Sequence, residues 1–241
     1  MMSSPSICVV VPTYNEAESI ARLINGINEA LGGHPHRIIV VDDGSVDGTR
    51  EAIRTIDGNN VEVINRGRKT GLGSALACGL RTAIGYHPSL VVTLDGDLSH
   101  DPHEIPRLLD AFSPGVLVVG SRYVEEGRWE GLEPTRILVS VMANRLSGRL
   151  LGTGVKDLTS GFRCYPSEMV EAILPKLRSV GYDFQVEALY ESARMGYPAR
   201  EVPISFHKRR TGRSKLGPME AVRLIRLLCR LKFYQDRFTT A

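Results

Sequence analysis

The chain reads as an α/β protein: a mostly parallel sheet with helices on both faces, formed by one domain whose second half is elaborated. Three observations predict this. Short β-branched runs alternate with stretches of helical periodicity as far as about residue 122. Each run is apolar at successive positions, as strands covered on both faces are. Three of the runs end in polar clusters, which a parallel sheet gathers at one edge, where ligands bind.

The elements follow in order. Strands are expected at 7–11 ("ICVVV"), 37–41 ("RIIVV"), 61–64 ("VEVI"), 90–94 ("LVVTL") and 116–119 ("VLVV"), with helices around 16–31, 47–57, 71–86 and 102–112 between them. The last of these helices opens with a capping box, Asp101 to Glu104, and Pro102 in its first turn. Beyond about residue 122 the alternation fails. "YVEEGRWEGLEPT" reads as a long loop carrying the single tryptophan, helices are expected over 136–151 and 183–195, a strand over 199–206, then a cationic loop and a final helix over 217–233. The expected division is a catalytic domain over 1–216 and a C-terminal basic amphipathic helix over 217–241.

Composition excludes several classes. A net charge of +3 is too mild to indicate a nucleic-acid partner, and none is expected. The four cysteines are scattered without a C-x-x-C, so neither a disulfide framework nor a zinc site is indicated. No signal-peptide pattern precedes the first strand, and no apolar run approaches the roughly 20 residues of a membrane span. The chain as given is therefore expected not to cross a membrane, though free to lie on one.

The strand at 90–94 runs into "DGDLSHDP". Asp95 and Asp97 are two positions apart on extended chain and point the same way. Two like charges so close need a cation or a shared proton between them. Oxygen ligands favour Mg²⁺ or Mn²⁺, which in turn bridges a diphosphate; the plain alternative is an Asp-Gly turn. "VDDGSVDGT" places Asp42 and Asp43 where one carboxylate can accept from a base N–H or a ribose hydroxyl, or merely cap the next helix. "PTYNE" offers Tyr14 for stacking and Glu16 as an acid, or is an ordinary loop with Asn15 as the cap.

"GLGSALACG" (71–79) lacks the third glycine of a dinucleotide loop and the G-K-[ST] of a P-loop, so close helix–sheet packing explains it better. "HKRRTGRSK" (207–215) is a solvated surface or a small-residue cationic loop able to fold over a polyphosphate, with Arg122 and Arg136 as further cations. On the last helix Arg223, Arg226, Arg230 and Arg237 form one stripe, with Val222, Ile225, Leu228 and Leu231 largely away from it. That pattern suits an anionic membrane surface or packing on the domain.

Taken in order, "VVVPTYNEAESI", "VVDDGSVDGT", "GLGSA", "DGDLSHDP", "GSRY", "DLTSGFRCY", "GYDFQVE" and "EVPISF…R…GRSKLG" resemble family 2 glycosyltransferases of the GT-A (Rossmann-like) fold, and within them dolichyl-phosphate mannose synthases. The match runs from residue 9 to about residue 217. The resemblance implies GDP-mannose as donor, dolichyl or another polyprenyl phosphate as acceptor, and inversion at the sugar carbon. By motif position it implies that Pro12, Tyr14, Glu16, Val41 and Asp43 hold the guanosine. Asp95, Asp97 and Ser99 would bind Mg²⁺ or Mn²⁺, with Gly96 between them. Arg209 and Lys215 would clamp the diphosphate, and Arg122, Arg136 and Ser140 would take the acceptor phosphate.

Two positions depart from the family pattern. Gly96 replaces its usual alanine and is expected to make the metal loop more flexible, and Asp183 stands where some members have lysine. Many members append transmembrane helices. This chain is expected to sit on the cytoplasmic face of a membrane, through residues 217–237 or a small membrane-anchoring subunit.

The missing parts agree with this chemistry. A phosphate monoester, with a second pKa of about 6, is already largely ionised and needs no general base. Three rivals fit less well. A D-x-D phosphohydrolase carries its motif on the first strand, whereas here three strands precede it; a nucleotidyltransferase needs a glycine-rich, lysine-bearing loop after strand one; a non-catalytic binding module sits poorly with intact Asp95, Asp97, Arg209 and Lys215. A glucose donor in place of mannose is the nearest alternative.

Overall fold

In the computed structural model, which describes residues 7–56, 59–131, 134–208 and 218–239, four strands lie parallel in the order β3-β2-β1-β4. They are β1 (Ile7–Thr13), β2 (His36–Asp42), β3 (Val61–Asn65) and β4 (Leu90–Thr93). Downstream come β5 (Leu117–Ser121), β6 (Arg128–Glu130), β7 (Arg163–Pro166), β8 (Ala199–Pro203) and β9 (Ser205–His207). The seven-stranded sheet continues past β4 as β7-β5-β8, with β7 antiparallel to both neighbours and β8 parallel to β5. The strands β6 and β9 pair separately as a two-stranded parallel ribbon.

Alternate strand residues face opposite layers, as the two-residue period requires. Ile7, Val9 and Val11 point with Ile38 and Val40 toward α1 (Ile20–Ala30), α2 (Thr49–Arg54) and α4 (Ile105–Asp110). Cys8, Val10, Ile39 and Val41 point the other way, toward α3 (Leu72–Ile84), α6 (Ser167–Ile173) and α7 (Phe184–Arg194). Burial of each such side chain is worth roughly 1.5–3 kcal/mol. The "GLGSALACG" glycines serve this packing. A Cβ at Gly79 would lie 2.4 Å from Val10 Cγ1 and 2.9 Å from Val41 Cγ2, so α3 sits directly on the sheet. On the same layer α5 (Pro134–Leu151) packs against α8 (Pro218–Thr239), and α8 contributes Leu227, Leu228 and Leu231 to the core.

Several expected elements change. The loop expected over 123–135 contains β6, and β7 and α6 were not expected at all. The run 199–206 is two strands, in different sheets, separated at Ile204. Helix α1 begins at Ile20 rather than residue 16, after a turn over 17–19 in which the Glu16 carbonyl accepts from Ser19 N at 3.1 Å and Ile20 N at 2.9 Å. The Asn15 side chain is not a cap; its Oδ1 accepts from Val46 N at 3.0 Å. The capping box is half formed. Asp101 Oδ1 accepts from His103 N at 3.0 Å, but the Glu104 carboxylate accepts from Ser205 N at 3.1 and 3.2 Å. A partly buried N–H needs an acceptor, and Glu104 supplies it.

Candidate active site

The register brings the functional loops to one edge. Thr13 lies beside Asp42, Asn65 beside Asp42, and Val10 beside Thr93, so the chain leaves β1, β2, β3 and β4 on the same side. The strand β5 runs the same way as β4, and Arg163 pairs with Thr93. Residues 122–127 and 157–162 therefore reach this edge as well.

The acid pair sits in a pinned loop. Ser99 N donates to Asp97 Oδ1 at 3.0 Å, and Ser19 Oγ donates to the Gly96 carbonyl at 2.9 Å. A Cβ at Gly96 would lie 3.0 Å from Thr13 Oγ1 and 3.2 Å from Pro12 O. The glycine thus presses the loop onto the end of β1, in place of the expected flexibility. Leu98 has φ 59°, a strained conformation for a γ-branched residue, and it turns the chain between Asp97 and Ser99. Ser99 is buried, and its Oγ has no hydrogen-bond partner among the described residues.

Beneath the loop lies His100, buried against the rings of Phe162 and Phe206, each with its centroid at 5.3 Å. Its Nδ1 accepts from Asp95 N at 3.3 Å. Burial lowers its pKa and outweighs the pull of Asp95 and Asp97, so the ring stays neutral.

The second acid cluster is already engaged. Asp42 is buried and accepts from the N–H and hydroxyl of Ser45, which closes the turn after β2. Asp43 Oδ2 accepts from Thr70 N and Gly71 N, both at 2.9 Å, and its Oδ1 accepts from Thr70 Oγ1 at 2.9 Å and faces Arg66 Nη1 at 3.0 Å. Neither acid caps α2. Gly44 (φ 84°) allows the turn, since a Cβ there would lie 2.8 Å from the Arg68 backbone. A base N–H reaching Asp43 would have to share it with Thr70. The Val41 side chain is fully buried against Gly79, so a ligand would meet its backbone. Lys69 Nζ lies 4.3 Å from the Tyr14 ring centroid. The segment 66–71 was not singled out in the sequence, although "RGRKTG" carries three cations in four positions.

On the other flank, Arg122 is fixed in a cage. Its Nε donates to Asp157 Oδ2 at 2.7 Å, and its Nη2 to Asp157 Oδ1 at 2.6 Å and to Thr159 Oγ1 at 2.8 Å. The guanidinium lies 4.5 Å from the Trp129 ring centroid and 5.0 Å from that of Phe206. Burial works against both charges, yet the pair overcomes it: Asp157 is held below the ordinary carboxylate pKa and Arg122 above the ordinary arginine value. Tyr123 OH donates to Ser140 Oγ at 2.7 Å, which joins α5 to this cluster. Arg136 stands one turn before Ser140 on α5, and its side chain lies outside the described residues, as do Arg209 and Lys215.

Pro12, Tyr14, Glu16, Asp43, Asp95, Gly96, Asp97 and Ser99 thus share one edge, with Arg122 and Ser140 at its far flank. Asp157, Trp129, Phe206 and His100 were not foreseen. Asp157 lies in "DLTSGFR", His100 in "DGDLSHDP", Phe206 in "EVPISF", and Trp129 is the single tryptophan, but no motif gave these residues a role.

A sheet of this order, with an acid pair beyond its central strand, is the architecture of GT-A glycosyltransferases. Glucosyl-3-phosphoglycerate synthase from Mycobacterium tuberculosis, solved with Mn²⁺, UDP and glucosyl-3-phosphoglycerate, superposes with TM-score 0.69 over 94% of this chain and 78% of that one, at 21% identity. Its complex with Mg²⁺ and UDP gives 0.68 over the same shares, also at 21% identity. At such identity the likeness is one of fold. Residues 8–174 match the family described as Glycosyl transferase family 2, and the chain belongs to that family: it is a glycosyltransferase. The polyprenol monophosphomannose synthase of Mycolicibacterium smegmatis is 39% identical over 215 residues, 87% of this chain and 80% of that protein. The undecaprenyl-phosphate mannosyltransferase of Micrococcus luteus is 35% identical over 214 residues, 88% and 87% respectively.

Proposed function

We propose that this glycosyltransferase moves mannose from GDP-mannose to a dolichyl or other polyprenyl phosphate, with inversion, a divalent metal and no general base. The observation that carries the reading is the pairing of one sheet edge with two relatives, 39% and 35% identical, whose names specify mannose transfer to polyprenyl phosphates. An acceptor phosphate oxygen forms the bond to the sugar carbon. The bond to the diphosphate breaks, and GDP leaves with the electron pair. Because the acceptor arrives ionised, the neutral His100 has no proton to remove. The work of the site is alignment and charge neutralisation.

Asp95, Asp97 and the buried Ser99 hydroxyl, which has no hydrogen-bond partner among the described residues, offer an all-oxygen set that suits Mg²⁺ or Mn²⁺. When bound, such an ion neutralises charge on the departing diphosphate. Arg209 and Lys215 are assigned to the diphosphate, and Tyr14, Glu16, Asp43 and the backbones of Pro12 and Val41 to the guanosine. Arg122, Arg136 and Ser140 are assigned to the acceptor phosphate. Asp157 orients Arg122 through its bonds to Nε and Nη2.

Location at a membrane surface belongs to the same reading, on its cytoplasmic side where the nucleotide sugar is. None of the described helices is long and apolar enough to cross a bilayer. Helix α5 instead exposes Leu138, Met142 and Leu146, each about 60% exposed and one turn apart, and α8, which packs against α5, exposes Ile225. Its charged residues are Arg136, Arg145 and Arg149, with no acid. An apolar row flanked by arginines fits an anionic bilayer. The helix that turns Ser140 inward would then lie on the surface that holds the lipid acceptor.

The experiment is transfer of labelled mannose from GDP-mannose to polyprenyl phosphate in detergent, with Mg²⁺, with Mn²⁺ and with EDTA. Label in the lipid phase only with a metal supports the reading. Label from UDP-glucose alone would overturn the donor, and equal label in EDTA would overturn the metal.

A further inference from the structure

Gln185 is the second residue of α7, and only 2% of it is exposed. Its backbone is fixed: the carbonyl accepts from Arg163 Nη1 at 2.8 Å, and Arg163 in turn donates to the carbonyls of Ser160 and Leu158 at 2.9 and 2.8 Å. The side chain reaches the candidate site. A Cβ built at Gly161 would lie 3.1 Å from Asp95 Oδ1 and 3.4 Å from Gln185 Nε2, so the carboxamide and Asp95 flank the same glycine. Gln185 Oε1 is buried with no hydrogen-bond partner among the described residues.

A buried amide oxygen without a donor is destabilising, and native structures keep few of them. The chemistry of the missing partner is constrained. An acceptor needs an N–H or O–H, and the ionised oxygens of a diphosphate or phosphate offer none. The guanosine is assigned to the ends of β1 and β2, whereas Gln185 stands beyond β4 and β7. A hexose has several hydroxyls and lies between the diphosphate and the acceptor. A neutral amide also adds no negative charge beside Asp95 and Asp97, where a carboxylate would.

We propose that Gln185 is a substrate-contacting residue whose Oε1 accepts from a hydroxyl of the transferred sugar. The inference rests on the donor being a nucleotide sugar, as argued above, and adds the residue that distinguishes the sugar from the bare nucleotide.

The test compares GDP and GDP-mannose by titration calorimetry in Mg²⁺ for the wild-type chain, Gln185→Met and Gln185→Ala. Methionine keeps the shape and removes the acceptor, and circular dichroism with thermal melting certifies that each variant is folded. The expected result is unchanged GDP affinity with GDP-mannose weakened about tenfold, the worth of one good hydrogen bond. Equal weakening of both ligands would overturn the proposal and assign Gln185 to the diphosphate or its metal. Unchanged affinity for both would overturn it too. If the wild-type chain prefers another nucleotide sugar, that sugar nucleotide and its own nucleotide replace the pair. Failure of the donor assignment is then read from the wild type, and failure of the Gln185 role from the variant-to-wild-type ratio.

Discussion

Replacing Asp157 with alanine tests the cage around Arg122 most directly. The Arg122 side chain is 9% exposed and that of Asp157 is fully buried, and the carboxylate accepts from Nε, Nη2 and the Arg122 backbone N–H at 2.7, 2.6 and 3.1 Å. Removing one partner strands a buried charge, for which about 3–5 kcal/mol is expected. In a chain of this size that lowers the melting temperature by roughly 10 °C. Urea denaturation followed by circular dichroism measures the loss. Fluorescence of Trp129, the single tryptophan, reports on the cage itself, because its ring lies 4.5 Å from the guanidinium. The pH dependence has a defined sign. Asp157 titrates below its unfolded value of about 3.9. The stability it supplies is therefore present above that pH and fades as pH falls through the folded value. The gap between wild type and Asp157→Ala should narrow below about pH 4. A loss under about 1 kcal/mol at neutral pH would refute the reasoning, since a surface pair is worth that little.

Other outcomes follow from the same geometry. Asp97→Ala should abolish metal-dependent transfer while its urea midpoint stays close to wild type; normal turnover would remove Asp97 from the site. Gly79→Ala should destabilise by about 1–3 kcal/mol through overpacking against Val10 and Val41, measurable by thermal melting, with activity per folded molecule retained. Met142→Glu should release the chain from anionic vesicles in a sedimentation assay and leave GDP binding unaltered. Unchanged sedimentation would mean that α5 is not the docking face.

The sheet was legible where physics is local. Successive apolar residues in β1, β2 and β4 announced strands covered on both faces, and their polar ends marked the site edge. The strand β7 was hidden because it is only four residues long and starts with an arginine. That arginine is buried through carbonyls at positions 158, 160 and 185, which no window along the chain reveals. The acids at 42 and 43 were legible as unusual, but not as used. The donors to Asp43, Thr70 and Gly71, come from beyond the end of β3, and only the β2–β3 pairing brings them near. The break at Ile204 was equally invisible, since "EVPISF" has one continuous strand-like pattern while its halves pair with different strands.

The ribbon of β6 and β9 links parts of the site that the sequence presents as separate motifs. Phe206 in β9 touches His100 under the acid loop, Trp129 in β6, and the Arg122 guanidinium, at 5.3, 5.6 and 5.0 Å. His207 N donates to the Ser99 carbonyl at 2.9 Å, so the backbone of β9 is tied to the same acid loop. Two residues later the chain enters the cationic segment that carries Arg209 and Lys215. One short strand therefore adjoins the acid pair, braces Arg122 and leads in sequence into the cationic segment. The proposed transfer between two anionic substrates would need such groups held at fixed separations. Packing around one phenylalanine supplies that constraint for the acid loop and Arg122, and it explains why a two-stranded ribbon outside the main sheet is built there.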